Sequence, residues 1–187
     1  MYFFDRVIST IIIQFKAYIT FFSANEIFNK MITDKNKFFM QEAFAQAKKA
    51  LALDEIPVGA VVVLDDTIIG RGFNQSIHKS DSTAHAEIIA IQKAGEKINN
   101  YRLVNCDLFV TLEPCLMCLG AILHARIRNV YFAASDIKKG VCGGLIDLTI
   151  NKSLNHHCNF HKGILSKESA DLIQKFFQEK RAKKNRT

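Results

Sequence analysis

Two short clusters in this sequence have to meet in space, and that requirement constrains the fold more than any other feature. The first is His85-Ala86-Glu87 and the second is Pro114-Cys115-Leu116-Met117-Cys118. One imidazole and two thiolates make a tetrahedral donor set for Zn²⁺, and three protein ligands leave a fourth position open, as in catalytic rather than closed structural sites. Cys115 and Cys118 are three residues apart, so on a helix they share a face. In a first helical turn, free N–H groups and the helix dipole favour their thiolate forms. His85 and Glu87 are two apart, which on an ideal helix is about 200° of rotation. Both reach one metal only from the irregular start of a helix, with Asp81, Ser82 or Thr83 as its cap. A metal-activated water then needs a proton carrier, and Glu87 is the carboxylate placed to act as general base and then general acid.

The surrounding pattern supplies elements to carry these clusters. Lys37 to Asp54 has helical spacing in Phe39, Ala43, Ala47, Ala50 and Leu51. Gly59–Leu64 (GAVVVL) reads as a buried strand, Asp65-Asp66 as a turn, and Thr67 to Gly72 as the returning strand of a hairpin. Asn74 to Thr83 is a polar loop. A helix follows over Ala84 to Lys97, a strand over Asp107–Leu112, a helix from Glu113-Pro114 through Ala125, and a strand over Asn129–Ala134. Ser135 to Leu154 is irregular, and a last helix starts at Ser166 as N-cap and ends in a basic run. Strands alternating with helices imply an α/β layered domain with parallel crossovers.

The chain has 187 residues, 49% hydrophobic and 23% charged, with a net charge of +7. That is the balance of one globular domain, and the basic excess suits a polyanionic partner. Residues 1–33 read as an apolar N-terminal extension and 34–187 as the domain. The apolar run is interrupted by Lys16, is shorter than the roughly 20 residues of a membrane span, and follows Asp5 and Arg6 rather than the basic start of a signal peptide. Three readings stand for it: an extension from an upstream start, with Met31 or Met40 as the native one; an apolar tail; or an interfacial helix. The first is favoured. No membrane partner is expected, and the location is expected to be cytoplasmic. Of the five cysteines, Cys106 and Cys158 read as packing residues. Cys142 sits in a Gly-rich loop that can bring it near the site. Phe176-Phe177 reads as core, with one ring available to face a nucleotide.

The two clusters, in this order and each opening a helix, form the signature of the zinc-dependent nucleobase deaminases. Thr83-Ala84-His85-Ala86-Glu87-Ile88 and the segment Thr111 to Ala121 resemble the bacterial tRNA adenosine deaminases of the cytidine deaminase-like superfamily. So do Ile56 to Val61, Gly72-Phe73-Asn74, Asn100 to Leu103, Asp136 with Lys138 and Gly140, Asn155-His156 and Phe176-Phe177. The resemblance implies a three-layer α/β/α fold with a five-stranded mixed sheet and one zinc per subunit. It implies a homodimer that deaminates the wobble adenosine, position 34, in the anticodon arm of an arginine tRNA. It also implies substrate contacts from Asn74, from Ala86 through its backbone, and from Asp136, Asn155, His156, Lys180 and Arg181. Ser82 departs from the family, which often has Pro there. The alternatives are a zinc deaminase of a free base or nucleotide of guanine or cytosine type, a zinc fold that only binds RNA, and a redox pair at Cys115 and Cys118. The presence of Glu87 speaks against a non-catalytic fold, and the basic C-terminal helix against a small substrate.

Overall fold

The computed structural model describes residues 30–185. Contacts divide the chain into two units, Met1–Asn36 and Lys37–Thr187. In the first, residues 30–36 are helical, and the apolar run read from the sequence lies outside the described residues. Among the described residues no helix is long and apolar enough to cross a membrane.

The second unit opens with helix α1, residues 37–52. It continues through β1 (Gly59–Leu64), β2 (Thr67–Phe73), α2 (Ala86–Ile98), β3 (Asp107–Leu112), α3 (Leu116–His124), β4 (Asn129–Ala134), β5 (Asn159–Lys162) and α4 (Ser166–Lys184). The strands form one mixed sheet in the order β2-β1-β3-β4-β5. β1 runs antiparallel to β2 and β3, while β3, β4 and β5 are parallel neighbours. This is the three-layer α/β/α arrangement expected.

The continuous apolar run of β1 is explained by burial on both faces. Ala60 and Val62 join Leu108, Val110, Val130 and Phe132 in a core closed by Ala86, Ala90 and Ala94 of α2 and by Leu119 and Ile122 of α3. Val61 and Val63 point the other way, with Phe109 and Ala133, against Phe39, Met40 and Ala43 of α1. The second face also carries a ring ladder, with Phe109 stacked on Tyr131 at 4.5 Å and Tyr131 on His161 at 4.6 Å.

Three local expectations are corrected. The sequence pattern alone does not mark β5, whose four residues carry a single core contact in Phe160. The last helix has Leu165, in the left-handed region at φ 56°, as its N-cap, so Ser166 is its first helical residue. No Asp81, Ser82 or Thr83 side chain caps α2. Asp81 Oδ1 instead accepts from Thr83 N and Oγ1 within its own turn.

Candidate active site

Each potential ligand stands at the mouth of a helix. His85 is the N-cap of α2, in extended backbone at φ −79° and ψ 154°, and Glu87 is the second residue of that helix. The extended residue removes the 200° conflict, because only Glu87 obeys the helical screw. Cys115 is the N-cap of α3, and Cys118 lies in its first turn. α2 packs on α3 over the core side of the sheet, so the two helix starts face each other.

The three donor atoms form a compact triangle. His85 Nδ1 lies 3.4 Å from Cys118 Sγ and 3.7 Å from Cys115 Sγ, and the two sulfurs are 3.6 Å apart. A tetrahedral zinc with Zn–S near 2.3 Å and Zn–N near 2.0 Å needs edges of about 3.5 Å (N···S) and about 3.8 Å (S···S). The residues therefore fit the metal in chemistry and in spacing. Among the described residues this is the one group of three such side chains close enough to hold an ion.

The electrostatics favour the thiolate ligand form at Cys115. A hydrogen bond from Cys118, with help from His85, holds the Cys115 thiol down to about 3. His85 is raised by its bond to Cys115. Cys118 is pushed up, first by donating to Cys115 and then by burial. Glu87 is 4% exposed, and burial drives its carboxyl up to about 7.

His85, Cys115 and Glu87 open onto a pocket of about 520 Å³. Asn74, His85, Glu87 and Cys115 form its base, Ile173 and Phe177 of α4 one wall, and Lys138, Lys139 and Arg181 part of its rim. The α4 wall is a helical stripe through Ala170, Ile173, Gln174, Phe177 and Arg181. Phe176, next along, is buried, so the aromatic pair divides between core and pocket.

The other expected contacts distribute unevenly. Asn74 is buried at the pocket base, and its Oδ1 accepts from Ala86 N at 2.9 Å, which replaces the missing side-chain cap of α2. Ala86, expected to contact the base through its backbone, thus has its N–H engaged by Asn74. Asp136 lines the pocket. Asn155 and His156 do not. The Asn155 carbonyl accepts from Arg126, and His156 Nε2 bonds the Ile127 carbonyl at 2.7 Å, beyond the end of α3. Lys180 lies off the pocket, paired with Asp54. Cys142 stays out of the donor triangle, and its N–H is held by Glu113.

Two buried carboxylates escaped the sequence reading. Glu55 Oε1 accepts from His78 N at 2.8 Å and so fastens the loop before α2. Glu113 accepts three backbone N–H groups of the loop after β4. Neither leaves a residue-type signature, since the partners are main-chain amides.

Known proteins share this arrangement. The family described as the cytidine and deoxycytidylate deaminase zinc-binding region matches residues 33–134. The tRNA-specific adenosine deaminase of Haemophilus influenzae is 47% identical over 156 residues, covering 83% of this chain and 90% of that protein. The tRNA-specific adenosine deaminase of Buchnera aphidicola is 42% identical over 153 residues, covering 81% and 99%. A solved structure from work on A-to-I editing by tRNA:A34 deaminases superposes with a TM-score of 0.68 at 40% identity, covering 72% of this chain and 98% of that one. A guanine deaminase structure from Bacillus subtilis is 33% identical with a TM-score of 0.52, covering 78% and 92%.

Proposed function

We propose, from the premise that this chain belongs to the cytidine and deoxycytidylate deaminase zinc-binding family, that it converts adenosine to inosine at the wobble position, 34, of tRNA. The observation that carries this reading is one pocket with His85, Cys115 and Glu87 at its floor, Cys118 completing the donor triangle behind them, and Lys138, Lys139 and Arg181 at its rim. The floor suits hydrolytic deamination and the rim suits a phosphate backbone. Relatives named tRNA-specific adenosine deaminases at 41–47% identity point the same way.

His85, Cys115 and Cys118 would hold one zinc per subunit. When bound, zinc supplies the Lewis acidity that makes water a nucleophile near neutral pH. Glu87 accepts a proton from the water that attacks C6 of the flipped adenine and delivers it to the ring nitrogen. It then assists the amino group to leave as ammonia, so that adenosine and water become inosine and ammonia. Burial in the pocket floor keeps that proton from bulk solvent.

Asn74 is fixed by Ala86, which leaves its amide N–H₂ for an acceptor on the nucleoside. Asp136 and Arg181 meet the substrate at the pocket mouth, and Asn155, His156 and Lys180 meet flanking parts of the anticodon arm, in an arginine tRNA. The deaminase domain spans residues 34–187 and works in the cytoplasm as a homodimer. The dimer is supported by large exposed apolar residues, Leu116 on α3 and Leu145, Ile146 and Ile150 on the segment between β4 and β5.

The test is ammonia release from an anticodon stem-loop, compared with free guanine, adenine and cytidine. Release from the stem-loop supports the proposal. Release from a free compound only would move the assignment to a free-base deaminase.

A further inference from the structure

Glu113 takes no part in the chemistry above, yet it is 3% exposed and sits two residues before Cys115. Its N–H donates to the Ala134 carbonyl at the end of β4. Its carboxylate accepts from Asp136 N on Oε2 at 3.0 Å, and from Cys142 N and Gly144 N on Oε1, both at 2.8 Å. The three amides come from the two ends of one loop, residues 135–144. The loop also returns to the α3 start through Val141 N donating to Pro114 O and through the Cys115–Gly140 bridge.

The loop is shaped around that carboxylate. A Cβ on Gly140 would stand 2.6 Å from Glu113 Oε1, and a Cβ on Gly144 would stand 2.5 Å from Oε2. Glycine at both positions lets the backbone close on the two oxygens. Meanwhile Asp136, Ile137, Lys138 and Lys139 of the same loop line the pocket. One buried side chain therefore joins the connection that carries a zinc ligand to the segment that forms the pocket mouth.

We propose that Glu113 is a positioning residue that clamps loop 135–144 in the conformation that receives the nucleotide. The proposal rests on reading this pocket as the nucleotide site. Three N–H groups on one buried carboxylate are charge-assisted, and removing the acceptor leaves one buried and two part-buried donors unpaired. Of the zinc donors, His85 is set by the start of α2 and Cys118 by the first turn of α3, and only Cys115 bridges to the loop, at Gly140. Loss of the clamp therefore separates substrate binding from metal binding. An acidic residue that served zinc or the proton path would not make that separation.

The test uses zinc-loaded full-length protein with Glu113→Gln, which keeps size but turns an N–H₂ group against at least one loop amide. Three quantities are measured: zinc per chain, hydrogen–deuterium exchange by peptide, and kcat and KM on an anticodon stem-loop. Zinc should remain at about one per chain. Exchange should rise in peptides covering 136–144 and stay unchanged in α2. KM should rise about tenfold, with kcat within about twofold. Glu113→Asp, which keeps the charge on a shorter arm, should recover part of the loss in KM. Gly144→Ala, which pushes the loop off an intact Glu113, should reproduce the pattern and serves equally if Glu113→Gln does not fold. Unchanged exchange in 136–144, lost zinc, or a fall in kcat at constant KM would each overturn the clamp. If the wild-type protein left the stem-loop untouched, the tRNA assignment would fail, while exchange and zinc content would still decide the role of Glu113.

Discussion

Glu87 and Glu113 are both buried carboxylates at one pocket, and their neighbours give them different work. Glu87 faces His85 and Cys118 and makes no bond that organises a loop, so it is free to accept and release a proton. Glu87→Gln should keep zinc at about one per chain and lower turnover by about 10²–10⁴-fold, the usual worth of a positioned acid–base group. Retained turnover would remove Glu87 from the mechanism. Burial places its carboxyl near 7, and a neighbouring cation favours the ionised form and draws that value down. The base must be ionised to act. So kcat/KM should fall with decreasing pH through a midpoint at or below 7. A pH–rate profile with an acid midpoint well above that, or flat across the acid side, would contradict this. The zinc triangle was legible in the sequence because soft-metal chemistry demands particular residue types at particular spacings. Glu113 was not, because a Glu before Pro reads as an ordinary helix opening and its partners are amides 23 to 31 residues downstream.

At the scale of elements, the site depends on how closely α2 approaches the hairpin. Ala86, Ala90 and Ala94 recur every fourth residue along α2 and pack over Gly70 and Gly72 of β2. A Cβ on Gly72 would stand 2.6 Å from Ala90 N and closer still to the Ala86 carbonyl. Gly72→Ala should therefore push α2 outward and cost about 1–3 kcal/mol or more by overpacking, read as a lower urea midpoint at unchanged m. It should also weaken zinc binding, because His85 and Glu87 ride on that helix. Stability and zinc affinity equal to wild type would show that the approach is not required. The long periodic and β-branched segments, α1, β1, β3 and β4, were legible because both of their faces, or one clear stripe, are apolar. β5 was not, since Asn159, His161 and Lys162 are exposed and only pairing with β4 makes the segment a strand. The cap of α2 was misread for a related reason. Its partner, Asn74, lies 12 residues away in sequence, outside any local capping pattern.

At the scale of the whole molecule, the net charge of +7 gains meaning from where the cations stand. Arg181 lies on the pocket wall, whereas Lys180 is engaged by Asp54. Arg181→Ala should weaken stem-loop binding and lower the slope of log Kd against log salt by about one, and Lys180→Ala should change it less. Equal effects would show that the rim does not distinguish them. The proposed homodimer should give a light-scattering mass twice the 21.1 kDa of the chain, independent of tRNA. The deaminase chemistry was legible from a handful of residues. The choice of tRNA was legible only through whole-domain resemblance, because a basic rim attracts any phosphate backbone. Sequencing of tRNA after incubation with the zinc-loaded protein tests the central claim most directly. Adenosine 34 should be read as guanosine in the treated arginine tRNA and stay adenosine with Glu87→Gln. An unaltered wobble position after treatment with the wild-type protein would contradict it.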